Sequence, residues 1–338
     1  MQAGIAAEPY LHDFARLLAR APDRGPVKFG IALLGVIGDP QDTALVNTLG
    51  KHDEFTLFST VALMNIVNSP ERALFELAKC VEGWGRIHLV ERLANTEDAD
   101  IKNWLIRHGY KNSITVEYLA YTCAQAGELH VALREARVDQ ELLDTSGDII
   151  EALIMGGPVR DMDDYEKAAD VIEHYLRHLR QRPASVKHFL VLQAIQGYLE
   201  DDEWDPAQRI ENGWLPGRRE GVLATVAELL DDDIWQQLAH SQLSSQDEAE
   251  FHQAERAADI LGIETWSVHW QRLQDMPSEP GRWHFVMRKA NADNIDAILS
   301  FAERVLPLEE IASGPSEALA LGPEYRWHSC LDFVLQDL

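Results

Sequence analysis

At 338 residues, 46% hydrophobic and 25% charged, the chain is long enough to bury a large core as one solenoid or as two compact domains. Fifty-six Asp and Glu against thirty Lys and Arg leave a formal charge of −26. That field repels phosphates, opposing nucleic-acid and anionic-membrane binding, and it favours a basic partner or simple solubility. No apolar run reaches the about eighteen residues of a membrane span, and Met1–Glu8 lacks the basic start of a signal peptide. Cys80, Cys123 and Cys330 form no CxxC or Cys/His cluster, and Cys80 and Cys123 sit in apolar helical runs, where burial is expected. A reducing, cytoplasmic setting is the expectation.

In chain order, Pro9 opens a helix whose apolar face is Tyr10, Phe14, Leu17 and Leu18. After a break at Ala21–Gly25, Val27–Ile37 supplies the helix on which the next units stack. From Gly38 to Gly157 one helical hairpin is written about four times, at a period of about thirty residues, which is the mark of a solenoid. The units open on Gly38-Asp39-Pro40, Asn68-Ser69-Pro70, Asn95-Thr96-Glu97-Asp98 and Ala126-Gly127-Glu128. Their second apolar runs are Phe55–Val67, Ile87–Ala94, Ile114–Ala124 and Ile149–Met155, the fourth unit having an irregular middle at Asp139–Gly147. In Asp39-Pro40 and Ser69-Pro70 the polar side chain can cap orphan N–H groups while proline fills the first turn.

Paired helices, a proline near the first turn and an Asp or Asn at the hairpin boundary resemble HEAT or armadillo repeats. The resemblance implies an α-α superhelix of stacked hairpins over residues 1–157, serving as a concave scaffold for other macromolecules. Gly156-Gly157-Pro158 marks the boundary to a less regular helical region, 158–338, that can continue the solenoid. Asp163–Gln181 has the stripe Ile172, Tyr175, Leu176 and Leu179, and Val186–Leu199 is a second helix. Asp201–Arg219 reads as a long loop pinned to the body by Trp204 and Trp214. Helices follow at Gly221–Leu230, Ile234–Leu243, Gln246–Leu261 and Ile295–Leu306, with Asp231–Asp233 as a cap. A loop, Ser313–Gly322, precedes the last segment, Tyr325–Leu338. Leu306-Pro307-Leu308, Ser313-Gly314-Pro315, Leu321-Gly322-Pro323 and Leu331-Asp332-Phe333-Val334-Leu335 resemble an uncharacterised bacterial helical-repeat family, some of whose members are labelled terpene hydroxylase.

That label implies an oxygenase, which needs a redox centre. None of the thirteen histidines has Glu or Asp three residues before it, as a di-iron Glu-x-x-His pair requires, and no strand-GxGxxG-helix is present. No cofactor is expected, and GxSxG, SxxK and P-loop motifs are absent. His174 and His178 share a helix face with Asp170 and are the weak metal candidates, without a third ligand; a solvated flank is their plainer reading. Asp201, Glu203 and Asp205 begin like a calcium loop, but Pro206 and Asn212 break the pattern. Basic clusters at Arg177, Arg180, Arg182 and Lys187 and at Arg218-Arg219 lie outside the repeats. The expected function is a non-enzymatic protein- or peptide-binding scaffold, with no nucleic acid and no membrane as partner. The alternative is an enzyme or small-ligand binder with a pocket at Trp266, His269, Trp270, Trp283 and His284, where core packing is the plainer explanation. Leu331, Val334, Leu335 and Leu338 form a stripe that the body or a second chain must cover, so a homodimer through the C-terminal segment is a further expectation.

Overall fold

The computed structural model describes residues 9–157, 159–181, 185–201, 206–312 and 325–336. Trp204, Glu203, Asp205, Arg182, Leu338 and the Ser313–Gly322 loop lie outside them. The chain is 74% helical, with twenty-one α-helices and no strand among the described residues. The all-α class expected from the sequence holds. Two compact units divide at Asp232 and Asp233, so the Gly156-Gly157 break falls inside the first.

The first unit opens with α1 (Pro9–Leu18), α2 (Arg24–Ile37), α3 (Thr43–Gly50), α4 (Asp53–Ile66), α5 (Pro70–Ala78) and α6 (Gly83–Arg92). It continues with α7 (Ala99–Trp104), which runs into a π-helical turn at Leu105–Gly109, then α8 (Glu117–Ala126), α9 (Leu129–Ala132) and α10 (Gln140–Met155). Its remaining helices are α11 (Ala168–Leu179), α12 (Val186–Glu200), α13 (Pro206–Glu211) and α14 (Pro216–Leu230). The even-numbered helices from α2 to α12 form a row with α14, each packed on the next, and α1, α3 and α5 pack on their even-numbered partners. Lys28 reaches Glu54 while Gly35 meets Ala62, so α2 and α4 advance in parallel. Polar ties join successive parts of this row. His12 to Asp42, Arg24 to Glu54, Arg72 to Asp100 and Arg107 to Asp139 span 30, 30, 28 and 32 residues. Such partly exposed ties contribute at most about 1 kcal/mol each. Fully buried Leu34, Leu63, Leu77, Val90 and Leu105 carry more, about 1.5–3 kcal/mol apiece.

Several elements depart from the sequence expectation, each for a local reason. Tyr10, Phe14 and Leu17 face solvent, while α1 packs through Ala15 and Ala19 onto Gly30, where only a hydrogen fits. Asp139–Gly147 is regular helix: Asp139 accepts from Leu142 N, and Gly147 gives the Tyr175 hydroxyl room at a spot where a Cβ would stand 2.9 Å away. α10 ends at Gly156, whose φ of 62° suits glycine. Ile114 precedes its helix, which starts at Glu117. Asp39 caps as expected, but Ser69 and Asp233 make no capping bond. Cys80 ends exposed after α5, whereas Cys123 is buried. The expected loop at Asp201–Arg219 holds α13 and the start of α14, with Trp214 buried.

The second unit holds α15 (Ile234–Gln242), α16 (Glu248–Leu261), α17 (Trp266–Asp275), α18 (Pro280–Arg288), α19 (Ile295–Val305), α20 (Leu308–Ile311) and α21 (Arg326–Gln336). One cluster is built on Leu273, Trp283, Val286, Ile298, Phe301 and Val334, and a smaller one on Leu243, Phe251, Ala254 and Ala258. In α21, Cys330 and Val334 are buried and Phe333 rests on His284 at 5.0 Å, whereas Leu335 points outward. The helix is therefore rolled from the expected stripe, because α18 offers aromatic surface on the Phe333 side.

Candidate functional site

α4 is amphipathic in an inverted sense. It buries Thr56, Ser59, Thr60 and Ala62 together with Leu63 and Ile66, and it exposes Leu57, Phe58, Val61 and Met64. Close packing explains the inversion. Ala62 meets Gly35 of α2, Thr56 meets Gly85 of α6, and Ser59 meets Gly50 of α3, leaving no volume for larger side chains. The buried hydroxyls of Thr56 and Thr60 are satisfied by Gly50 O at 2.8 Å and Thr56 O at 2.7 Å.

Since Ser59 faces α3, the Leu57, Phe58, Val61 and Met64 surface lies on the opposite side of the row. Phe29 and Val36 extend it on α2, at 56% and 66% exposure. Trp84 of α6, 56% exposed, sits 5.3 Å from Tyr118 of α8. Beyond that pair lies a groove of about 540 Å³, whose lining includes Glu91, Asn95, Tyr118, Tyr121, Gln125 and Arg160. Arg160 lies over the Tyr121 ring at 5.0 Å and donates to its hydroxyl at 3.1 Å.

Of the five residues singled out in the second unit, Trp266, Trp270 and Trp283 pack in one apolar cluster, while His269 and His284 turn to different partners. Trp283 is buried and donates from Nε1 to Pro277 O at 2.8 Å. Trp266 and Trp270 stack at 5.6 Å, and Trp270 meets Phe301 edge-on. His284 turns to Phe333, with Nδ1 buried and unpaired. His269 turns the other way, to Glu255 Oε1 at 3.0 Å, between Phe251 and Phe285. Burial pushes Glu255 upward, but His269 and His252 outweigh it and hold the carboxyl below its ordinary range. A cavity of about 400 Å³ opens beside this pair, lined by Glu255, Arg256, Asp259, Phe285, Arg288 and Lys289. Sequence order could not separate these roles, because neighbours on one helix point to different sides.

His174 and His178 also part company. His178 is buried with Nε2 2.9 Å from Leu133 O, contrary to a solvated flank, while burial lowers the pKa of half-buried His174. Asp170 is taken by Arg218 at 2.6 Å. A His/carboxylate group missed in the sequence is His12, Asp39 and Asp42. His12 Nε2 lies 2.5 Å from Asp42 Oδ2, and Arg16 Nε donates to Oδ1 at 2.6 Å. The group ties α1 to the turn before α3. The thirty-residue period was the one signal that could have paired them.

Comparison with known protein families, characterised proteins and solved structures finds no match for this chain.

Proposed function

We propose that this protein is a non-enzymatic interaction module, a HEAT-like stack of hairpins that takes a protein or peptide partner on the free face of the row. The observation that carries this reading is the run of Phe29, Val36, Leu57, Phe58, Val61 and Met64 on two adjacent helices. Monomeric surfaces rarely spend so many large apolar side chains on one patch without a use for it. Trp84, Tyr118 and Tyr121 supply aromatic anchors further along, and Asn95, Gln125 and Arg160 supply polar contacts. A segment with a narrow apolar stripe and basic flanks suits such a surface on a chain of charge −26.

Nucleic acid is a poor partner on the same grounds. Arg180 pairs with Glu228, Lys187 with Asp148, and Arg218 with Asp170 and Glu173, while Arg177 donates to the carbonyls of residues 133–135. A second reading, a small-ligand binder, has one observation behind it, the cavity beside the buried His269–Glu255 pair.

Selecting peptides from a random library against the full chain, then titrating them calorimetrically, tests the first reading. Phe58→Glu with Val61→Glu is expected to weaken binding by tenfold or more, as loss of central apolar anchors does. Peptides that bind the variant as tightly as the wild type would overturn it.

A further inference from the structure

His12 of α1 meets Asp39 and Asp42 of the turn before α3, and each of the three presents one ligand atom within 4.8 Å of the other two. Among the described residues this is the one group of three His, Cys, Asp or Glu side chains so placed. His12 Nε2 stands 2.5 Å from Asp42 Oδ2 and 3.8 Å from Asp39 Oδ2. The other oxygen of each carboxylate is held from outside the group. Asp39 Oδ1 accepts from Gln41 N at 2.9 Å, and Asp42 Oδ1 accepts from Arg16 Nε at 2.6 Å. The two oxygens that remain are the two that face the imidazole. Asp42 is 1% exposed and stands at the N-cap of α3, yet its side chain makes no capping bond. An Asp in that place ordinarily accepts from the first amides of its helix. Here the carboxylate is turned to His12 instead. Buried charges are paired or coordinate metals. Arg16 answers for Asp42, but no Lys or Arg among the described residues is ion-paired with Asp39.

The geometry points to a zinc site, with His12 Nε2, Asp39 Oδ2 and Asp42 Oδ2 as the protein ligands and water in the fourth place. One imidazole nitrogen with two carboxylate oxygens suits zinc, which takes mixed nitrogen and oxygen donors in tetrahedral coordination. Calcium and magnesium take six or more ligands, nearly all oxygen, and fit the set less well. Ligand atoms about 2.0–2.2 Å from a tetrahedral ion stand about 3.3–3.5 Å apart. The observed separations of 2.5 and 3.8 Å bracket that value, so loading opens one contact and closes the other by side-chain rotation. The side chains of His12 and Asp39 are 18% and 29% exposed, so the water and the path of entry lie on their side. Gln41 N and Arg16 are the outer partners that orient the two carboxylates. Bound there, the ion fastens α1 to a turn thirty residues on. No residue of the α2–α4 face takes part, so the site is independent of peptide binding.

Calorimetric titration of Zn2+ into the full chain, first stripped with EDTA, is the test. One ion per chain is expected, and Co2+ in its place is expected to show the intense visible bands of tetrahedral cobalt. Asp39→Asn keeps an acceptor for Gln41 N but loses the charged ligand, and His12→Gln loses the nitrogen. Each is expected to weaken zinc binding at least tenfold and to abolish the cobalt bands. His108→Gln, exposed and outside the group, is expected to change neither. Both ligand variants are expected to keep the far-UV circular dichroism of the metal-free wild type, since their side chains are partly exposed. Saturating zinc is expected to raise the melting temperature of the wild type and not of Asp39→Asn, because an ion bound only by the folded chain stabilises it. A chain with no saturable zinc site overturns the proposal, as does an ion that binds both ligand variants as tightly as the wild type. One bound cobalt with only faint bands would overturn the tetrahedral coordination.

Discussion

Leu105 illustrates what one buried side chain contributes here. It is fully buried in the π-helical turn after α7, beside Ile101 and Ile106. Leu105→Ala is expected to cost about 2–5 kcal/mol by lost transfer energy and cavity formation. Urea denaturation checks this, and an unchanged midpoint would show that the turn collapses around the gap. The cysteines separate by environment. Cys80 is exposed, burial pushes the Cys123 thiol far up, and burial pushes Cys330 up to about 12. One thiol is therefore expected to react with a labelling reagent in the native protein, and three after unfolding. The pair of Arg218 and Asp170 supplies a pH dependence. Hydrogen bonding from Arg218, opposed by burial and aided by its charge, lowers the pKa of Asp170. A carboxylate depressed on folding stabilises the fold above its unfolded pKa of about 3.9 and loses that contribution as the pH falls through the lower folded value. Melting temperature against pH should thus fall below about pH 4 in the wild type, and less steeply in Arg218→Gln, which starts from a lower plateau. Parallel profiles would rule the linkage out.

Among the helices, small residues decide which faces close. At the α1–α2 crossing a Cβ on Gly30 would meet backbone atoms of Ala19 and Ala15 at 2.4 and 2.8 Å, so the two helices would have to separate. Gly30→Ala is expected to destabilise by about 1–3 kcal/mol despite alanine's better helix propensity. Val61, outward on α4 and 47% exposed, is expected to tolerate Ser within about 0.5 kcal/mol. Thermal melts of both variants check the pair. A destabilising Val61→Ser beside a neutral Gly30→Ala would reverse the assignment of α4's faces. Polar residues inside and large apolar residues outside is a costly pattern for a helix that meets only water. Its cost is consistent with a face kept for binding.

At the scale of the whole molecule, charge governs what can approach. With −26 overall and the described residues Arg177, Arg180, Lys187 and Arg218 of its basic clusters paired to carboxylates or carbonyls, the protein is expected to show no duplex binding at physiological salt. A fluorescence titration with labelled duplex checks this, and tight, salt-sensitive binding would refute it. The sequence by itself determined the helical class, because it rests on short-range terms: 3.6-residue apolar spacing, Asp39-Pro40 at a turn, and Gly156-Gly157 at a helix end. It also carried the burial of Trp214. Only the tertiary structure decided which side of each helix faces inward. Spacing defines a stripe, but whether that stripe is covered depends on how closely a neighbour approaches. At Gly30, Gly35 and Gly85 the approach is so close that Ala15, Ala62 and Thr56 fill the contact, and Phe14, Val61 and Leu57 are turned out. The separation of His269 from His284, and the meeting of His12 with Asp42, were fixed in the same way, by contacts between helices that no local pattern encodes.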